Sequence, residues 1–325
     1  MVKKIYLMFN RLLPMDKYLL IFIISSFILL ASLMLWLVIN KYRKKRRKGK
    51  NFDLAGIENN NKSCFFNTTM QIFASMDEFY KYLQNSKLGN NSLTKMVYKF
   101  VYKIKEEKEI IDNREYYYRI MNHFDNKIFK IDGENSVDEF MIHLLHLLMQ
   151  EELNIKNIHI HSFEELTKEE YNLLLDESTL FNLFFLVSTS PGIKSTISVE
   201  IMPLNTIQNT IDSFLSSENQ CYIPNWYNFF IIHNPKYLIL PFTSRNLSSN
   251  DFEFTKNLFI KMNNTKYQSN SIVLYGKAYL FYNHYSVISK RRDEYYLFDD
   301  MIINKFYEEI ENNKFITLLV YERID

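Results

Sequence analysis

Three hydrophobic patterns follow one another along the chain. From Tyr18 to Asn40 no residue is charged, and most positions are Leu, Ile, Phe, Val or Met. A helix rises about 1.5 Å per residue, so roughly 20 such residues span the hydrocarbon core of a bilayer. The run predicts a transmembrane helix over 18–40, behind a short tail at 1–17. It exceeds the ~7–15 apolar residues of a signal peptide, and no small-residue cleavage site follows it. Beyond residue 51 the apolar positions fall at helical spacing. Phe66, Met70 and Phe73 recur in this way after Cys64, and a second such stretch runs from Ser92 to Ile104. A third, Ser136–Glu152, puts Phe140, Leu144, Leu147 and Leu148 on one side. After about Leu180 the pattern changes to short β-type runs at 184–187, 229–232, 237–240, 271–275 and 315–321. Helices followed by strands predict an α+β domain over 51–325, with a helical lobe (about 51–165) packed on an antiparallel sheet (about 166–325).

Charge adds an orientation. Residues 41–50 carry eight positive charges and no negative one. An excess of Lys and Arg stays on the cytosolic side of a span, so the C-terminal domain is expected in the cytosol. The basic segment can also lie on anionic headgroups, at about 1 kcal/mol per charge, so residues 18–50 form the expected lipid contact. A short anchor with a basic flank suits the endoplasmic reticulum or the mitochondrial outer membrane. The whole chain has a net charge of +2 and is slightly acidic outside that block, which argues against a nucleic-acid binder. Only two cysteines are present. They make no disulfide framework, fit a reducing compartment and exclude an all-cysteine zinc site.

One of those cysteines stands where a nucleophile would be built. Cys64 follows Ser63, a favoured N-cap residue, and opens a predicted helix. A thiol in the first turn of a helix faces unpaired backbone N–H groups, which favour a thiolate. The plainer alternative is a small buried hydrophobe. Asn59, five residues upstream, could present its amide to an oxyanion beside that sulfur. Of the seven histidines, His143 and His146 fall opposite the apolar side of their helix, His159 and His161 alternate in a polar stretch, and His123 and His233 have no distinctive context. His284 differs, because it begins a strand-like run that a polar tip joins to a second run ending in Asp299-Asp300. A hairpin turning at Arg291–Arg292 would set His284 opposite Asp299, and a slip by one or two places would still leave a carboxylate near the imidazole. Such a carboxylate holds the ring's tautomer and stabilises its protonated form. An ordinary hairpin with exposed polar residues is the alternative.

Taken together, these segments resemble the ubiquitin-specific protease family of papain-like cysteine proteases. The family's Cys box, G-L-x-N-x-G-N-T-C followed by an aromatic residue and x-N-S-x-L-Q, is matched by the segment running from Gly56 through Asn59, Ser63, Cys64 and Phe65 to Gln71. A weakened Q-Q-D-A-x-E-F reads Glu134-Asn135-Ser136-Val137-Asp138-Glu139-Phe140, and G-H-Y and F-D-D are matched by Asn283-His284-Tyr285 and Phe298-Asp299-Asp300. The resemblance covers roughly residues 51–325. It implies a thumb-palm-fingers domain in which Cys64 is the nucleophile, His284 the base, Asp299 its orienting acid and Asn59 the oxyanion donor. It further implies that Glu134, Ser136, Tyr285 and Asp300 flank the substrate, that ubiquitin or ubiquitinated proteins are the partners, and that no cofactor or metal is needed. Three departures stand out. Asn61 and Lys62 replace the Gly-Asn pair ahead of the nucleophile, Asn283 replaces a glycine, and Ser136 replaces an aspartate expected to face ubiquitin's basic tail. The paired C-x-x-C motifs of the family's zinc-binding fingers are missing, since Cys221 has no partner. A ubiquitin-binding pseudoprotease, or a hydrolase of a ubiquitin-like modifier, are the rival expectations.

Overall fold

The structure, a computed structural model, describes residues 22, 24–26, 28–34, 53–60, 62–163, 165–189, 193–198, 230–242, 257–260, 265–278, 282–307 and 314–324. The chain divides into two units, Met1–Lys48 and Gly49–Asp325. In the first unit the described residues are helical, and their apolar side chains, such as Phe22, Leu29, Leu30 and Met34, are exposed. Among the described residues no helix is long and apolar enough to cross a membrane. Most of the expected span 18–40, and all of the basic segment 41–50, lie outside them.

The second unit is a mixed α+β domain. Among the described residues seven helices come first: α1 (Cys64–Ser75), α2 (Asp77–Asn85), α3 (Leu93–Glu106), α4 (Arg114–Met121), α5 (Val137–Lys156), α6 (Lys168–Glu177) and α7 (Thr179–Phe184). The strands follow: β1 (Leu186–Thr189), β2 (Ile193–Thr196), β3 (Phe230–His233), β4 (Tyr237–Pro241), β5 (Asn257–Ile260), β6 (Thr265–Ala278), β7 (Tyr282–Arg291), β8 (Glu294–Asp299), β9 (Ile302–Lys305) and β10 (Lys314–Arg323). Helices therefore continue past the expected boundary near 165. Phe184, read from pattern as strand, closes α7, because the run 184–187 is apolar without a period that separates helix from strand.

Among the described residues the strands form two antiparallel sheets, a three-stranded one ordered β2-β1-β3 and a seven-stranded one ordered β4-β10-β6-β7-β8-β9, with β5 also paired to β6. Alternation sorts the side chains of the larger sheet into two apolar clusters. Val273, Val287, Leu318 and Val320 join the core around the helices, whereas Ile272, Ile288, Ile316 and Leu319 pack in a second cluster.

Helix α1 lies at the centre of the main core. Every residue from Cys64 to Ala74 is buried, polar ones included. Buried polar groups need partners, and Asn67, Thr69 and Gln71 have them. Thr69 Oγ1 donates to the Phe65 carbonyl at 3.0 Å, and Gln71 Nε2 donates to the Ala55 carbonyl at 2.9 Å. Aromatic rings close round the apolar positions, with Phe65 5.1 Å from Phe140 and Phe66 5.3 Å from Tyr117 between centroids. Two neighbouring carboxylates on α5 tie other helices to this frame. Glu151 accepts from the backbone N–H of Leu93 (2.8 Å) and Thr94 (2.9 Å) at the start of α3. Glu152, buried, accepts from Ser178 Oγ and from the N–H groups of Thr179 and Leu180 at the start of α7. A carboxylate at a helix N-terminus satisfies orphan donors and complements the dipole.

Arg291 locks the β7–β8 hairpin onto α1. Its buried guanidinium donates from Nη2 to the carbonyl and the side-chain oxygen of Gln71, at 2.6 and 2.8 Å, and lies 4.9 Å over the Phe298 ring. The hairpin itself turns one residue later than pattern suggested. Arg291 pairs with Glu294, leaving a two-residue loop in which Arg292 and Asp293 have φ of 50° and 67°. Both central residues with positive φ is the type I′ geometry whose twist suits a tight hairpin.

Candidate active site

The Cys64 end of α1 is assembled from four chain segments. Gly56–Glu58 runs between residue 111 and the β8–β9 turn. Ile57 N–H donates to the Asp300 carbonyl at 3.0 Å on one side, and Glu58 N–H donates to the Ile111 carbonyl at 2.8 Å on the other. A Cβ on Gly56 would stand 2.9 Å from the Met301 carbonyl oxygen, so only glycine admits this approach. The chain then rises through Asn59 and Asn60 to Lys62 and enters the helix at Cys64.

Ser63 occupies the N-cap position, as expected, but its side chain makes no capping bond to the helix. Its Oγ accepts from the Asn60 N–H at 3.1 Å and from Asn113 Nδ2 at 3.0 Å. The hydroxyl is drawn into a polar cluster behind the loop, which sequence alone had no means to indicate. Lys62 carries the strain of the loop. Its φ of 65° is left-handed, a conformation that costs a non-glycine residue about 1–2 kcal/mol. Its ammonium lies 3.7 Å from Glu134.

His284 and Asp299 do meet, though not as directly opposed residues. The β7–β8 ladder pairs Val287 with Phe298, so its continuation sets Asp299 opposite Ser286 and diagonal to His284. Diagonal neighbours on one face are within reach of longer side chains. The His284 Nε2 to Asp299 Oδ1 distance is 2.5 Å, and Asp300 Oδ2 is 3.7 Å from the same nitrogen. The Cys64 sulfur is near enough to the ring to favour its charged form. With Nε2 engaged by Asp299, Nδ1 is the nitrogen left for it. Burial works against a charge on His284. The hydrogen bond to Asp299 and the nearby Cys64 sulfur, with the charges of Asp300 and Asp299, outweigh that cost and push its pKa up to about 10.

Asp300 is turned inward. Its Oδ1 accepts from Asn67 Nδ2 and its Oδ2 from Asn59 Nδ2, both at 2.8 Å. Burial raises its pKa, while His284 and the two amides pull in the opposite direction. Asn59 Oδ1 in turn accepts from the Ser63 N–H at 3.0 Å. The second hydrogen on Asn59 Nδ2 has no acceptor among the described residues.

Cys64 opens onto a cavity of about 160 Å³ lined by Lys62, Phe65, Glu134, Asn135, Ser136, Tyr275 and Tyr285. Three of the four expected substrate-flanking residues, Glu134, Ser136 and Tyr285, therefore line one cleft with the sulfur. Asp300 does not, because its carboxylate is committed to the two amides. Ser136 Oγ donates to Asp138. Tyr275, which no motif marked, packs tilted against Tyr285 with ring centroids 5.0 Å apart. Asn113 was missed as well. It is fully buried at the start of α4 and reaches the loop only because residue 111 pairs with residues 56–58. Asn283 has no described side chain, and Asn61 and Cys221 lie outside the described residues.

The other histidines are placed differently. His143, His159 and His161 are exposed, as expected. His146 is not on a solvated face. It packs on Phe163 and Phe185, and burial lowers its pKa. His233 stacks on Phe181 at 6.0 Å, and burial pulls its pKa down to about 4. Among the described residues, His284, Asp299 and Asp300 also offer three ligand atoms within 4.8 Å of one another, a group able to hold a cation. Their donors and acceptors are already matched to one another and to the two amides.

Two expectations follow from this geometry. Lys62→Gly removes left-handed strain at the loss of an exposed ion pair worth about 0–1 kcal/mol. It should raise stability by about 0.5–1 kcal/mol in chemical denaturation; a loss of that size would mean the ion pair dominates. His284 should also leave a mark on pH dependence. An unfolded imidazole titrates near ~6.5, so the raised folded pKa stabilises fully below that pH, and the contribution is lost as pH rises through about 10. The difference in melting temperature between wild type and His284→Gln should shrink across that window. A difference that grows with pH would contradict the His284 environment described above.

Comparison with models of protein families finds no match, and comparison with curated proteins finds none.

Proposed function

We propose that the domain is a cysteine hydrolase acting at the C-terminus of ubiquitin, and that the chain is a member of the ubiquitin-specific protease family with a papain-like thumb-palm-fingers fold. The observation that carries this reading is the Cys64–His284–Asp299 set: His284 is hydrogen-bonded to Asp299 and raised in pKa in part by Cys64, which starts a buried helix and opens on a cleft. With its pKa near 10, His284 is protonated at neutral pH. It therefore acts first as the partner of a Cys64 thiolate rather than as a free base. The thiolate attacks the carbonyl carbon of ubiquitin's terminal glycine. An amide hydrogen of Asn59 and the Cys64 backbone N–H receive the developing oxyanion. His284 passes its proton to the leaving amine as the C–N bond breaks, leaving a thioester. The neutral ring then takes a proton from water, which attacks the thioester, and the carboxylate product departs as sulfur recovers its charge.

One observation favours the rival in which ubiquitin is bound but not cleaved. The Lys62–Glu134 pair stands at the cleft beside the sulfur, where the family pattern has a smaller residue. A ubiquitin C-terminal electrophile separates the two readings. Labelling of the wild type that is lost in Cys64→Ala, with hydrolysis reduced about 10²–10³-fold in Asn59→Ala, supports the enzyme. Binding of ubiquitin with no labelling would sink it. A ubiquitin-like modifier electrophile that labels in preference points to the second rival.

The uncharged run 18–40 followed by eight basic charges supports an anchor at a cytosol-facing membrane, with the domain in the cytosol. The full chain should stay with membranes through alkaline carbonate washing, and protease added to intact vesicles should digest the domain. Release by carbonate would remove the anchor, and protection from protease would reverse the orientation.

A further inference from the structure

Behind the nucleophile loop five residues close a ring of hydrogen bonds. Asn113 Nδ2 donates to Asn67 Oδ1 at 2.6 Å, and Asn67 Nδ2 donates to Asp300 Oδ1 at 2.8 Å. Asp300 Oδ2 accepts from Asn59 Nδ2 at 2.8 Å, Asn59 Oδ1 accepts from the Ser63 N–H at 3.0 Å, and Ser63 Oγ accepts from Asn113 Nδ2 at 3.0 Å. Asn113 and Ser63 are fully buried, and Asn67 nearly so. An amide has one accepting and one donating end, whereas an ionised carboxylate only accepts. Asn67 is consequently oriented by Asp300 as acceptor at one end and Asn113 as donor at the other; Asn59 is oriented by Asp300 and by Ser63, whose hydroxyl, accepting from Asn113, donates to Asn59 Oδ1 at 3.3 Å.

We infer that Asn113 is a positioning residue for the proposed acyl transfer, setting with Asp300 the polarity of the ring that aims the Asn59 amide and holds the Ser63–Cys64 entry into α1. Asn113 Oδ1 is held in turn by Asn60 Nδ2 at 3.0 Å, so the side chain cannot reverse without losing that bond. The inference rests on the function proposed above, but its central claim is about polarity and is open to test by moving the acceptor.

In Asn113→Asp the donor facing Asn67 becomes an acceptor. Asn67 must then either face it with its oxygen or flip and turn that oxygen on Asp300. In Asp300→Asn the amide of Asn67 meets a second donor. Each single change leaves one buried bond unmade. The double variant Asn113→Asp/Asp300→Asn restores the path through Asn67 with its polarity reversed: Asp at 113 accepts from Asn67 and from the Ser63 hydroxyl, the Asn67 oxygen accepts from Asn at 300, and that residue's own oxygen still takes Asn59; only the long 3.4 Å bond from Asn67 to the Glu58 carbonyl is given up.

The experiment is a double-mutant cycle on the full chain, reading kcat and KM for a ubiquitin C-terminal fluorogenic amide and, separately, the rate of Cys64 alkylation by iodoacetamide. Both single variants should lose kcat at nearly unchanged KM, and alkylation should slow. The double variant should recover about tenfold in kcat over the poorer single, with alkylation recovering in step. A residue that merely filled space would give losses that add, because neither substitution changes shape. Additive losses, single variants with unaltered kcat, or a double variant that does not fold would overturn the inference. A wild type inert toward the amide would instead refute the proposed function, and the alkylation arm would still decide the polarity of the ring.

Discussion

The carboxylate of Asp300 must find donors inside the protein, and the arrangement of the Cys64 end of α1 follows from where it finds them. Its two oxygens draw in Asn59 from the loop before the helix and Asn67 from the helix itself, while its backbone carbonyl receives the Ile57 N–H. One residue in a left-handed turn, with φ of 49°, thus joins the sheet to the loop and helix that carry the thiol. A buried carboxylate left without such partners would cost several kcal/mol, so loop, helix and turn are secured together. Gly56 belongs to the same contact, because any side chain there would push the β8–β9 turn away.

His284 shows how closely opposed effects are balanced at this place. Burial by itself would favour a neutral ring, as it does for His146 and His233. Two carboxylates and the sulfur reverse the outcome. The difference lies in neighbours rather than depth, since His233 stacks on Phe181 and has an Nε2 without a hydrogen-bond partner among the described residues. A protonated imidazole beside a thiolate is the state in which cysteine chemistry begins, which links the electrostatics of the turn to the proposed reaction.

Reading the hairpin from pattern shows both the reach and the limit of sequence. The alternation around 284–299 and the polar tip were enough to predict two paired strands and a carboxylate near the imidazole. The register was not legible, because a two-residue loop at 291–292 and one at 292–293 fit the same polar run. Backbone twist decides between them, and it requires positive φ at both loop residues. The helices were legible where one face is apolar, as in α3 and α5. The end of α7 was not, because an apolar run packed on all sides carries no period. His146 was misplaced for a related reason, since the side of α5 opposite Phe140 is covered by Phe163 and Phe185 from later in the chain.

Local pattern was sufficient for the order of elements, for the α+β class of the domain and for the identity of Cys64, His284, Asp299 and Asn59 as a group worth testing. Each of these rests on short-range regularities: helical spacing, alternation, or a motif a few residues long. What the tertiary structure alone decided is the set of long-range polar partners. It turned Asp300 from the cleft to the loop, took Ser63 Oγ from capping into the ring and brought Asn113 to Ser63 and Asn67 across a gap of about fifty residues in sequence. In a chain rich in asparagine no one of them signals its role, because a hydrogen bond is specified by geometry between both partners and sequence displays each partner alone.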